Sequence, residues 1–185
     1  MNTLKTVFVA AVCALAWTAM AQDTNLLRTQ IGLFEARTGV VIVKGIGPVG
    51  AVPLNTAQLS IGYKQTKDLN TGEIAYGLII EVEGNQFGRE AIFVDDDEVD
   101  SLLNAVNYLA KINNDVTALP GFEASYATKA GLRIIAESIR KEGGVLNYLK
   151  FEDYPRIAMS PVQMTQFYNL LLQCRKNLDA LKSGR

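Results

Sequence analysis

Four features of this sequence hold residue types that could carry chemistry: a glycine-rich hexapeptide, an acidic run, a lone cysteine and a set of strand glutamates. Gly45-Ile46-Gly47-Pro48-Val49-Gly50 fits G-x-G-x-x-G and follows the β-branched run Val40–Val43. Cradling a pyrophosphate with that pattern requires a helix N-terminus directly after it. Ala51-Val52-Pro53-Leu54-Asn55-Thr56 follows instead, without helical periodicity, so a flexible hairpin loop is expected. Asp95, Asp96, Asp97, Glu98 and Asp100 offer oxygen ligands, but they lack the alternating spacing, central glycine and late glutamate of a calcium loop. Carboxylates at a helix start are favoured by the dipole alone, and capping is the expected role. Cys174 sits between Leu171 and Leu178 on an apolar seam. A thiol nucleophile needs a base or cation beside it, so a buried core thiol is expected instead.

Glu81, Glu83, Glu90, Glu123 and Glu137 could pair for carboxylate hydrolysis, yet their alternation places them on the solvent faces of strands. The chain of 185 residues contains no histidine. That removes the Ser-His-Asp triad, histidine zinc sites and the commonest general base. No catalytic, cofactor-binding or metal-ligating residue is singled out, and no cofactor is expected. The seven tyrosines fall on faces shared with aliphatic residues, which points to core packing with hydroxyls at the rim.

Residues 1–21 have the order of a secretory signal: Lys5, an apolar run from Thr6 to Trp17, then Ala19-Met20-Ala21 as a cleavage site before Gln22. Export to the periplasm or beyond is expected. Cleavage removes one lysine, the only tryptophan (Trp17) and Cys13, leaving 164 residues with 17 basic and 19 acidic side chains, net −2. That balance disfavours nucleic acid, which calls for a basic face. With Cys174 alone, no disulfide can form within the mature chain, so the fold must stand on its core. No later stretch reaches membrane-spanning length.

The elements that would position these residues repeat. Asp95-Asp96-Asp97-Glu98 precedes Val99, Leu102, Val106 and Leu109; Ser160-Pro161-Val162-Gln163 precedes Met164, Phe167, Leu171 and Cys174, each at an offset of 65. Both fit a capping box, Asp95 with Glu98 and Ser160 with Gln163, ahead of an amphipathic helix. Alternating strands precede each helix, and Asp68–Gly72 and Lys129–Gly131 read as turns between them. The tripeptide Phe-Glu-Ala opens both halves, at Phe34 and Phe122. The expected fold is α+β: two tandem units of about four antiparallel strands followed by one helix, over 30–113 and 121–183, packed as a single domain over 22–185.

A β4α unit used twice, with Ile157-Ala158-Met159-Ser160-Pro161-Val162-Gln163 running from strand through cap to helix, resembles the PUR-repeat and Whirly-type folds. The resemblance implies single-strand binding through basic and aromatic sheet faces, whereas this chain is slightly acidic and carries an export signal. Phe122 to Leu132, read as F-x-A-x-Y-x-T-K-x-G-L, is also similar to a stretch in secreted bacterial proteins. The function expected is an exported, non-catalytic binding or structural module for a protein or small-molecule partner. An exported single-strand or polyanion binder and a carboxylate-dependent hydrolase are the alternatives.

Overall fold

The computed structural model of the chain describes residues 28–84, 88–139, 143–152 and 154–184. The signal expected over 1–21 lies outside the described residues. A short helix, α1 (Gln30–Glu35), precedes a meander of β1 (Ile42–Pro53), β2 (Ala57–Asp68), β3 (Ile74–Gly84) and β4 (Gly88–Asp95). A 3-10 turn over Asp96–Glu98 leads into α2 (Val99–Leu109). The second half repeats the pattern with β5 (Glu123–Ala127), β6 (Arg133–Ser138), β7 (Val145–Lys150), β8 (Ile157–Met159) and α3 (Pro161–Lys182). Both sheets are antiparallel, in the orders β1-β2-β3-β4 and β5-β6-β7-β8. The α+β class and the tandem four-strand-plus-helix units agree with the sequence pattern.

The helices are exchanged between the halves. α2, which ends the first half, packs on β5 and β6; α3, which ends the second, packs on β1 and β2; and the helices touch each other. Val99, Leu102, Val106 and Leu109 of α2 and Met164, Phe167, Leu171, Cys174 and Leu178 of α3 are buried in one cluster with the inner faces of both sheets. Leu59, Ile61, Leu78, Ile80 and Val94 line the first sheet in that cluster, and Leu132, Ile134, Leu149 and Ile157 line the second. A four-stranded sheet with one helix leaves apolar surface in water, and the exchange covers both sheets at once.

Three expectations are corrected. Gly45–Gly50 is not a loop: it lies inside β1, paired with β2 along its length apart from a bulge between Pro48 and Gly50. Gly47 and Gly50 are there for close approach. A Cβ on Gly47 would collide with the Tyr63 ring, and one on Gly50 would come within 2.7 Å of Leu170 on α3. Phe34 and Phe122 do not mark equivalent points, because Phe34 belongs to α1 while Phe122 precedes β5. The two helix starts also differ. Ser160 and Gln163 form a complete capping box, Gln163 N–H donating to Ser160 Oγ at 3.2 Å and Ser160 N–H to Gln163 Oε1 at 2.7 Å. Asp95 and Glu98 make no such exchange, and both side chains turn to distant backbone.

Asp95 caps α1 instead. Its carboxylate accepts from Gln30 N–H at 2.8 Å and Ile31 N–H at 3.1 Å, while Thr29 Oγ1 accepts from Gly32 N–H at 3.0 Å. A six-residue helix does not hold in water by propensity, so its orphan N–H groups depend on this long-range carboxylate. Asp95→Ala is expected to lower stability by about 2 kcal/mol, the upper end for a lost cap. Hydrogen exchange should then show lost protection at Gln30 and Ile31 with α2 unaffected. Fraying of Val99–Leu103 instead would restore the local capping box as the role of Asp95.

Candidate functional site

The acidic run is spread over several elements rather than gathered into a site. Beyond the α1 cap, Asp96 takes Arg175 at 3.1 Å and Lys182 at 2.8 Å from α3; Asp97 takes the Lys129 ammonium at 2.8 Å; and Asp100 takes Arg175 at 3.3 Å. Glu98 Oε1 accepts from Lys129 N–H at 2.9 Å in the β5–β6 turn. Successive carboxylates thus tie α1, α3 and the second sheet to one point in the chain. Burial raises the Glu98 pKa, only partly offset by Lys129, and Tyr126 is raised by its own burial and then by that carboxylate. Among the described residues, no group of three or more Cys, Asp or Glu side chains is placed to hold a metal ion.

The other sequence candidates are similarly occupied. Cys174 is a free, fully buried thiol, its pKa pushed up to about 12 by burial. Glu123 and Glu137 stand opposite each other across β5 and β6, and Arg156 bridges them with 3.1 Å contacts to each. That pair lies on the exposed outer face of the second sheet, beside Tyr148, whose ring is 5.9 Å from the Arg156 guanidinium carbon. Glu81 binds Arg89 at 2.6 Å. No helix among the described residues is long and apolar enough to cross a membrane.

The outer face of the first sheet is the surface with unusual chemistry, and sequence reasoning missed it. Strand register sets its side chains in rows: Lys44-Thr66-Ala75, then Ile46-Lys64-Gly77-Asp95, then Pro48-Gly62-Ile79-Phe93, then Ala51-Ser60-Glu81-Ala91. α1 lies across part of this face, packing Ile31 against Ile79 and Phe93 in a cluster separate from the main core. Glu35, at the end of α1, receives Lys64 at 2.6 Å, Lys44 at 2.7 Å and the Thr66 hydroxyl at 3.0 Å. The Lys64 side chain is only 4% exposed, and its ammonium lies 3.9 Å from the centre of the Phe93 ring, a cation-π contact. Burial pulls the Lys64 pKa below its usual value, with Glu35 pulling partly back. For Glu35, burial acts upward, but the bonds from Lys44, Lys64 and Thr66 together outweigh it and hold the carboxyl below its usual range.

Beyond α1 the same face is open. Ile46, Pro48, Gly62, Ile79, Ser60 and Glu81 line a shallow groove of about 310 Å³, and Ile46 stands 56% exposed directly across from Lys64. At the covered end Lys44 and Lys64 face Glu35 and the row of Lys64 also holds Asp95, so the charges there are matched, while the open end is largely apolar. Alternation of Lys44, Ile46 and Pro48 along β1 was the available signal, hidden by reading Gly45–Gly50 as a loop. No protein-family model, curated protein or solved structure matches the chain.

Proposed function

We propose that the chain is an exported, non-catalytic binding module whose working surface is the open half of the first sheet's outer face. Its ligand is a slender apolar molecule or segment carrying one anionic group. The observation that carries this reading is α1 itself, which fills the neighbouring rows of the same face with an apolar side chain, Ile31, and one carboxylate, Glu35, set between Lys44 and Lys64. The open rows continue that surface with Ile46 and Pro48, and the Lys44 side chain, 48% exposed, stands at their border. Of the carboxylates a hydrolase would use, Glu123 and Glu137 are bound by Arg156 and Glu81 by Arg89. On the outer face of the second sheet Arg156 is paired with two glutamates, so a single-strand binder there would rest on Arg133 and Lys150, which stand opposite each other across β6 and β7.

Anilinonaphthalene sulfonate, an apolar body with one anionic group, is the probe that tests it on the mature protein. Saturable fluorescence enhancement is expected while near-UV circular dichroism stays native. Ile46→Glu should weaken the binding at least about tenfold, the equivalent of 1.4 kcal/mol, and Lys44→Ala by a smaller factor. Absence of saturation, or binding indifferent to Ile46→Glu, would remove this surface as the site.

A further inference from the structure

Under α1 the first sheet carries a set of donors aimed at one carboxylate. Lys64 and Thr66 stand on β2 and Lys44 on β1. All three reach Glu35, Lys64 at 2.6 Å, Lys44 at 2.7 Å and the Thr66 hydroxyl at 3.0 Å. The Phe93 ring, from β4, has its centre 3.9 Å from the Lys64 ammonium. Every donor therefore belongs to the sheet, and the acceptor alone belongs to α1. Burial by itself does not call for this arrangement, because packed apolar side chains in place of a buried ion pair are often neutral or stabilising. Two ammonium groups and a hydroxyl converging beside an aromatic ring are the chemistry that recognises a ligand's carboxylate.

α1 is also placed to be exchanged. Its six residues are too few to hold a helix on their own. No α1 residue belongs to the main core cluster, so lifting α1 leaves the packing between the two sheets in place. Peripheral units of this kind open at a lower free energy than the whole fold. The surface beneath runs on into the groove. Ile79 packs in the Ile31 cluster and also lines the groove, and Lys64 stands across from Ile46.

We infer that α1 is a displaceable occupant of the ligand site: a slender apolar chain bearing a carboxylate takes its place. The ligand's carboxylate exchanges for Glu35 at Lys44 and Lys64, and its chain for Ile31 against Ile79 and Phe93. The proposed function, on which this rests, supplies the class of ligand; the contacts of α1 add the seat of the anionic group and the segment that leaves. A closed site weakens binding in a defined way. The observed dissociation constant is the intrinsic one divided by the fraction of molecules with α1 lifted, so loosening α1 tightens binding.

Octanoate is the probe, titrated into the mature protein with hydrogen exchange of backbone amides as the readout. The amides of Ile31 to Glu35 should lose protection as octanoate saturates, while the paired amides of β2 and β3 keep theirs. Ile31→Ser loosens α1 and alters no residue beneath it. That variant should bind octanoate at least about tenfold more tightly, and adding Lys64→Met should cancel the gain. The exchange measurement uses the wild type, so the outcome does not depend on the variants folding. Octanoate bound with α1 still protected overturns the inference and leaves the open groove as the site. An affinity indifferent to Ile31→Ser, or a gain that survives Lys64→Met, overturns it as well. If the wild type binds no anilinonaphthalene sulfonate while Ile31→Ser binds octanoate through Lys64, the covered site stands and the open groove falls. Octanoate bound by neither protein removes both.

Discussion

Neither half of this protein should fold alone. Residues 22–113 and 120–185, made as separate chains, are expected to show no near-UV circular dichroism and no cooperative melting; mixed in equal amounts, they should recover both. The reason is the exchange of helices. In the intact chain α3 buries Met164, Phe167, Leu171, Cys174 and Leu178 in a cluster that includes the first sheet, and α2 supplies Val99, Leu102, Val106 and Leu109 beside the second. Each large apolar side chain contributes about 1.5–3 kcal/mol when buried, so losing one helix from a sheet removes an amount comparable to a whole domain's stability of about 5–15 kcal/mol. Among the described residues the one cysteine, Cys174, is a free thiol, so no disulfide compensates there. Spectroscopic titration of one fragment with the other measures the outcome. A cooperative transition in the isolated first half would mean that α2 can cover its own sheet.

The second large effect is expected at Glu35. Glu35→Ala removes the carboxylate from a lysine whose side chain is 4% exposed, leaving Lys64 with the Phe93 ring and no counter-charge at 2.6 Å. Breaking a buried pair from one side costs about 3–5 kcal/mol, and because the Glu35 side chain keeps 10% of its surface exposed the loss here should lie near the lower figure. Replacing both partners, Glu35→Leu with Lys64→Met, should return stability to within about 1 kcal/mol of wild type. Urea unfolding of the four proteins of the cycle separates these outcomes. Equal losses in the single and double variants would show that α1 docks without the ion pair.

The pair also fixes the sign of a pH effect. The folded-state pKa of Glu35 lies below its ordinary value of 4.5, so its contribution is present above about pH 4.5 and is lost as pH falls through the depressed value. Lys64 acts oppositely, since burial lowers its pKa from 10.5 and penalises the charged form in the fold. With Glu35 gone that penalty grows. Glu35→Ala should therefore regain stability as pH rises toward 10, a recovery the wild type shows only weakly.

Much of this fold is legible in the sequence because its signals are local. The 3, 4, 3 spacing of Met164, Phe167, Leu171 and Cys174 and the Ser160–Gln163 box place α3, and both parts of that signal lie within one helix. Asp95–Glu98 shows where local reasoning stops: the same residue types at the same spacing can cap their own helix or a distant one. α1 went unseen because six residues carry too little periodicity, and what holds it, Asp95, lies 65 positions away. The glycines of β1 were misread for a related reason. Glycine marks flexibility and close approach alike, and only the Tyr63 ring and Leu170 tell which applies.

By itself the sequence determined the tandem strand-and-helix units, the exclusion of histidine chemistry and the burial of Cys174 on an apolar seam. Each follows from composition or from periodicity within one element. Tertiary structure alone decided that the helices cross to opposite sheets, that the acidic run anchors three distant elements, and that Glu35 meets Lys44, Lys64 and Thr66 under α1. Those contacts join residues whose positions in the chain impose no mutual geometry. They form because burying both sheets at once brings these elements together.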